Sequence, residues 1–142
     1  MYITDKAIAL GDFFSFAPDP SCGALASFVG IVRNLDQGRP VKKLHYECYL
    51  PMANKMIQTL IEEAKEKWGP HEIRVLHRVG SLEIGEAAVA IAVSSAHRAE
   101  ALLTCGYLIE AIKKRVPIWK KEVFRDGTSE WVLCGHSMET VA

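Results

Sequence analysis

Residues 110–124 read EAIKKRVPIWKKEVF and gather Lys113, Lys114, Arg115, Lys120 and Lys121 around a Val-Pro-Ile-Trp segment. The chain as a whole sets 17 Lys+Arg against 17 Asp+Glu, so this concentration is local. Lys113, Lys114 and Arg115 close a helical pattern, where the helix dipole favours cations. Lys120 and Lys121 need a further reason. Neighbours in a strand point to opposite faces, so one of them turns toward the packed side. A half-buried lysine loses basicity and can exchange protons or steady an oxyanion. The tight connection through Pro117 lets Lys113 and Lys120 converge. The cluster is either a solvated helix end or one wall of an anion pocket.

Two further stretches hold cations that an anion would answer. In SSAHRAE (94–100), His97 and Arg98 fall in the first turn of a predicted helix. Free N–H groups and the positive dipole end make that turn a poor place for a cation. A shared anion resolves the conflict, and phosphate suits it because Arg98 can grip it in a fork. The plain alternative is an exposed arginine beside a histidine making a local cap contact. In FVGIVRN (28–34), Arg33 ends a predicted strand and Gly30 signals a bulge or a close backbone approach. An edge-strand arginine is the plain alternative there.

Other chemistries lack their motifs. His45, His71, His77, His97 and His136 show no HxxxH or HExxH spacing, and no Cys/His grouping resembles a zinc site, so no metal is expected. There is no GxGxxG, P-loop or GxSxG, and no cofactor is expected. Cys105 lies among Leu102, Leu103 and Leu108 and reads as a small core residue rather than a nucleophile. Cys22, Cys48, Cys105 and Cys134 form no CxxC and read as reduced thiols, which fits a cytoplasmic protein.

The elements that must position these residues follow from periodicity. GALASFVGIVRN (23–34) reads as a strand. LDQGRP makes a loop. VKKLHYECYL alternates Leu44, Tyr46 and Cys48 against Lys43, His45 and Glu47, as a half-buried strand antiparallel to the one before it. Pro51 opens a helix over 51–67 with Met52, Met56, Leu60, Ala64 and Trp68 on its apolar stripe, a Glu63–Lys67 pair on its wet side, and Gly69-Pro70 as its stop. EIRVLHRVG (72–80) alternates Ile73, Val75, His77 and Val79 on one face. GSLEIG reads as a turn. EAAVAIAVSS (86–95) is apolar throughout, as a strand buried on both faces would be. Ser94 or Ser95 caps a helix over 96–115, which Pro117 ends. PIWKKEVF puts Ile118, Lys120, Glu122 and Phe124 on one strand face, and Asp126-Gly127 makes a hairpin to a strand through Trp131 and Val132. The predicted class is α+β, a mostly antiparallel sheet with two main helices on one side.

At 142 residues the chain is long enough for one domain, 1–142, with a real core. Its 49% hydrophobic and 24% charged residues are ordinary for a soluble protein. Zero formal net charge disfavours non-specific nucleic-acid binding. The N-terminus does not look like a signal peptide, and AAVAIAV (87–93) is far shorter than the ~20 residues that cross a bilayer.

The order and spacing of FVGIVRN (28–34), LHYECYLPMANKMI (44–57), HRVGSLEIGEAAVAIAVSSAHRAEA (77–101) and IKKRVPIWKKEVFRDGTSEWV (112–132) resemble one family, the large, catalytic subunit of molybdopterin synthase. The resemblance runs from about residue 22 to residue 132. It implies an α/β-hammerhead-like fold and a sulfur transferase that converts a cyclic pyranopterin monophosphate (precursor Z) into dithiolene-bearing molybdopterin, a step of molybdenum cofactor biosynthesis. Sulfur would arrive as a thiocarboxylate on the C-terminal Gly-Gly of a small ubiquitin-like subunit. Two large subunits would form a central homodimer within a heterotetramer. By the resemblance, Lys113 and Lys120 match the catalytic lysines. Arg33, His97 and Arg98 match positions that bind substrate and its phosphate, and Ile31, Val32, Lys121 and Glu122 lie in the same matched stretches. Relatives often continue past Trp-Val with an arginine that reaches the neighbouring subunit; here the chain reads WVLCGHSMETVA, with His136 as the substitute to consider. A non-catalytic module that binds a phosphate ligand or a ubiquitin-like tail is the competing expectation.

Overall fold

The computed structural model describes residues 1–133, so Cys134 and His136 lie outside the described residues. Two antiparallel-rich sheets and two long helices make the frame. The first sheet has the order β1-β5-β7-β2, with β1 Ile3–Thr4, β5 Glu72–Arg78, β7 Ala87–Ser95 and β2 Ala24–Ile31. The second is built on β4 (Arg39–Cys48), flanked by β3 (Leu35–Asp36), β6 (Gly80–Glu83) and β8 (Ile118–Phe124), with β9 (Ser129–Leu133) beyond β8. The helices are α1 (Leu10–Phe13), α2 (Leu50–Trp68) and α3 (Arg98–Arg115). The α+β class expected from the sequence is the class observed.

β7 is the central plank. All nine of its residues are buried, as its unbroken apolar run predicts for a strand covered on both faces. It pairs with β2 on one side and β5 on the other. Ile91 and Val93 join Ile57 and Leu60 of α2 and Leu108 and Ile112 of α3 in one core. α2 begins with proline in its first turn and ends at Gly69, whose φ of 60° is the left-handed cap that glycine adopts without strain. It buries Ala53, Ile57, Leu60, Ile61 and Ala64, while Met52 at the start of the predicted stripe is exposed.

Several expectations need correction. β4 does not pair with β2. A short β3–β4 hairpin carries the chain from one sheet into the other, and β4 pairs with β6 and β8. Alternation tells which face a residue takes, not which strand lies beside it. The predicted turn at 80–85 contains strand β6, which adds an edge to β4; Gly80 and Gly85, both at positive φ, bound it. The N-cap of α3 is His97, not Ser94 or Ser95, which remain buried in β7. Glu63 pairs across to Arg115 of α3, at 2.8 and 3.2 Å, rather than along α2 to Lys67. That bidentate pair, joined by the Tyr107 hydroxyl at 2.7 Å, ties the two helices together. Cys22, Cys48 and Cys105 are free thiols, and Cys105 is buried in α3 as expected. No described helix is long and apolar enough to cross a membrane.

Candidate active site

A cleft of about 860 Å³ opens where the two sheets meet the C-terminal half of α3. Lys113 enters it from α3 and Lys120 from β8, each half-buried. The strand alternation holds: Ile118, Lys120, Glu122 and Phe124 all line the cleft. Lys120 stands opposite Tyr46 in the β4–β8 register, and Tyr46 lines the same wall. The cation cluster of residues 113–121 divides between helix end and cleft. Lys114 is a solvated helix-end cation, and Arg115 is exposed and paired with Glu63. Lys113 and Lys120 are wall.

The acids around the lysines matter as much. Glu122 is only 5% exposed, and burial first, then its hydrogen bond with Asp36, raises its carboxyl to about 7. Lys120 pulls the other way. Near neutral pH Glu122 therefore exchanges between its protonated and ionised forms and can donate a proton. Arg33 and Asp36 face each other at 3.8 Å on the rim, with the Arg33 side chain 78% exposed and free to turn. Arg39 stacks on the Phe124 ring at 3.6 Å and pairs with Glu130.

The far wall comes from the first sheet. Gly30 and Val89 are register partners across β2–β7, and His77 is the next partner of Val89 across β7–β5. All three line the cleft. A Cβ on Gly30 would meet Val89 Cγ1 at 2.8 Å, and the β2–β7 register shifts between Gly30 and Ile31. Both sequence readings of this glycine, bulge and close approach, are realised.

The candidates drawn from the sequence divide. Ile31, Arg33, Lys113, Lys120 and Glu122 share the cleft. Val32 is outside its lining, because its side chain is 3% exposed in the core. Lys121 faces the other side of β8, 5.6 Å from the Trp131 ring, since strand alternation separates it from Lys120. His97 and Arg98 are exposed in a separate depression of about 440 Å³ with Gly23 and Ala96. The fifteen residues from Arg98 to Lys113 span ~22 Å along α3 at 1.5 Å each. The expected cluster of His97, Arg98 and Arg33 therefore does not form within one chain. His77, Tyr46, Asp36 and Arg39 were not among the expected site residues. The one available signal was His77 itself, a histidine on a strand face otherwise made of Ile73, Val75 and Val79.

Comparison with known proteins adds family evidence to this geometry. A family model described as "MoaE protein" matches residues 3–115. The chain is 43% identical over 128 residues to a molybdopterin synthase catalytic subunit of Rattus norvegicus, covering 90% of this chain and 64% of that protein's length. It is 43% identical over 129 residues to one of Thermoplasma volcanium, covering 91% of this chain and 94% of the relative. The crystal structure of molybdopterin synthase from Staphylococcus aureus superposes with a TM-score of 0.85 at 40% identity, covering 92% of this chain and 95% of that one.

Proposed function

Because this chain belongs to the MoaE family of molybdopterin synthase catalytic subunits, we propose that it transfers sulfur from a small ubiquitin-like subunit to a cyclic pyranopterin monophosphate, making molybdopterin. The observation that carries this reading is the meeting of Lys113 and Lys120, from different elements, in one cleft with Arg33 and Glu122. The reaction moves anionic sulfur onto a pterin carbon and needs charge stabilisation and proton traffic. In this reading Lys113 faces the incoming thiocarboxylate tail and stabilises negative charge on its acyl oxygen. Lys120 exchanges protons at the carbons that receive sulfur, with the buried Glu122 carboxyl as its neighbouring proton source. Arg33, on the open rim, is suited to the substrate phosphate.

His97 and Arg98 join this site through a second copy of the chain. β2 is the outer strand of its sheet, and its eight residues leave a free edge. Leu25, Phe28 and Ile31 on β2 and Leu102 and Leu103 on α3 are exposed large apolar side chains. A two-fold axis beside the middle of β2 would set the Gly23 end of one strand against the Ile31 end of the other. His97 and Arg98 of one copy would then approach Arg33 of its neighbour, and the expected phosphate site would assemble across a homodimer.

The test mixes the purified chain with a thiocarboxylated small subunit and the pyranopterin precursor and follows dithiolene product by mass spectrometry. Product is expected. A stable complex that makes none would overturn the enzymatic reading in favour of a binding scaffold.

A further inference from the structure

His77 is 6% exposed, lines the cleft, and has no part in the steps assigned above. Its Nδ1 lies 2.8 Å from the Arg78 carbonyl oxygen. A carbonyl only accepts, so Nδ1 carries the hydrogen and donates it. Burial, and the nearby charge of Lys113, lower the pKa of the imidazole to about 4, so it is neutral at working pH. These facts together fix the tautomer: Nε2 is bare and can only accept. Among the described residues Nε2 meets no hydrogen-bonding partner. The Tyr46 ring packs edge-on against the imidazole at 5.2 Å and holds its plane.

We propose that His77 is a positioning residue for Lys113, its Nε2 lone pair being the acceptor that orients the Lys113 ammonium in the loaded cleft. The assignment rests on the reading of Lys113 given above. A lysine on the last turn of a helix has four rotatable bonds and needs an acceptor to hold one direction. The other charged groups around it do not supply a neutral one. From β8 come Lys120 and the protonatable Glu122, from the β3–β4 hairpin Asp36 and Arg39, from β9 Glu130, and beyond β2 Arg33. A carboxylate partner would neutralise the charge that the reaction uses. A bare imidazole nitrogen orients the ammonium and leaves its charge available to the substrate.

The experiment compares His77→Asn with His77→Gln. Asparagine reproduces the Nδ1 donor to Arg78 and lacks Nε2, whereas glutamine places a polar atom near the Nε2 position. Steady-state kinetics and the ¹⁵N shift of His77 Nε2 in the cleft loaded with small subunit and precursor, with Lys113→Met as control, are read on folded protein. We expect His77→Asn to lower kcat about tenfold, the effect of one hydrogen bond to a charged group, with KM for the pterin within about twofold, and His77→Gln to stay near wild type. A merely structural role predicts the reverse order, because asparagine keeps the Arg78 bond. On loading, the Nε2 resonance should move upfield, as an accepting nitrogen does, and Lys113→Met should abolish the move. An Nε2 shift that Lys113→Met leaves unchanged overturns the inference, even where wild-type turnover upholds the reaction. Loss of the reaction in wild type, with the Nε2 shift still following Lys113, would sink the functional reading and keep the pairing.

Discussion

Lys120 of β8 stands directly across the strand pair from Tyr46 of β4, and Tyr46 packs edge-on against His77 of the other sheet. The wall that carries Lys120 and the opposite wall of the cleft therefore touch through one aromatic ring. Two lysines that approach from a helix and a strand are held on a common frame.

Removing either lysine should cost activity and little stability. Both side chains are half-buried at the cleft rather than in the core. Lys113→Ala and Lys120→Ala should each lower turnover at least a hundredfold, the usual reach of a positioned acid–base or charged group. Their melting temperatures should stay close to wild type. Near-normal turnover in both variants would exclude the assignment.

The proposed cross-copy site makes a sharper test. Lys113→Ala and Arg98→Ala chains should each be nearly inactive alone. Mixed after unfolding and refolding together, they should regain about a quarter of wild-type activity, because some dimers then hold one intact site built from both chains. No recovery, with mixed dimers verified by mass spectrometry, would place both residues in the same chain's site.

Glu122 should leave a mark on stability against pH. Its folded-state pKa is raised to about 7 from 4.5, so between those values the folded state binds more protons than the unfolded. Stability from this group is highest below 4.5 and declines as pH rises through 7. Glu122→Gln should remove that decline and gain on wild type between pH 5 and pH 8. Urea unfolding at the two pH values reads it; an unchanged difference would contradict the buried acid.

His77 acts in the opposite direction. Its folded-state pKa falls from 6.5 to about 4, so between those values the unfolded state binds more protons and stability rises with pH. Each pH unit of displacement is worth ~1.4 kcal/mol, so acidification from pH 7 to pH 4 costs on the order of 3 kcal/mol through this residue. His77→Gln should lose less stability than wild type over that interval in urea unfolding curves, and equal losses would refute the buried neutral imidazole.

Gly30 should tolerate no side chain without compensation. Its added Cβ would press Val89 Cγ1 at 2.8 Å, and Val89 is β-branched with little rotamer freedom. Gly30→Ala should cost about 1–3 kcal/mol, as overpacking does. In a double-mutant cycle Val89→Ala should recover part of that cost. Strict additivity would show that the clash is not the cause.

The face of each strand was legible where alternation was clean. Ile118, Lys120, Glu122 and Phe124 fell on one side as read, and the apolar run of β7 announced its burial. Partners were not legible. β4 lies in the other sheet from β2 because a short hairpin, Leu35–Asp36 against Arg39–Pro40, changes its plane, and such a hairpin looks like any polar loop. The separation of His97 from Lys113 was in principle readable from helix length alone. The likeness of motifs concealed it, since a family signature records which residues recur and not how far apart the fold sets them.

The span of α3 has a consequence for how this chain tolerates change. One rigid rod carries His97 and Arg98 at its start and Lys113 in its last turn. Inserting one residue would advance the far end ~1.5 Å and swing it by ~100°, turning Lys113 away from Lys120 while His97 kept its place. In the proposed dimer the helix is a calibrated spacer between what the chain lends and what it retains. Its length is constrained in a way that surface loops, which absorb insertions at little cost, are not.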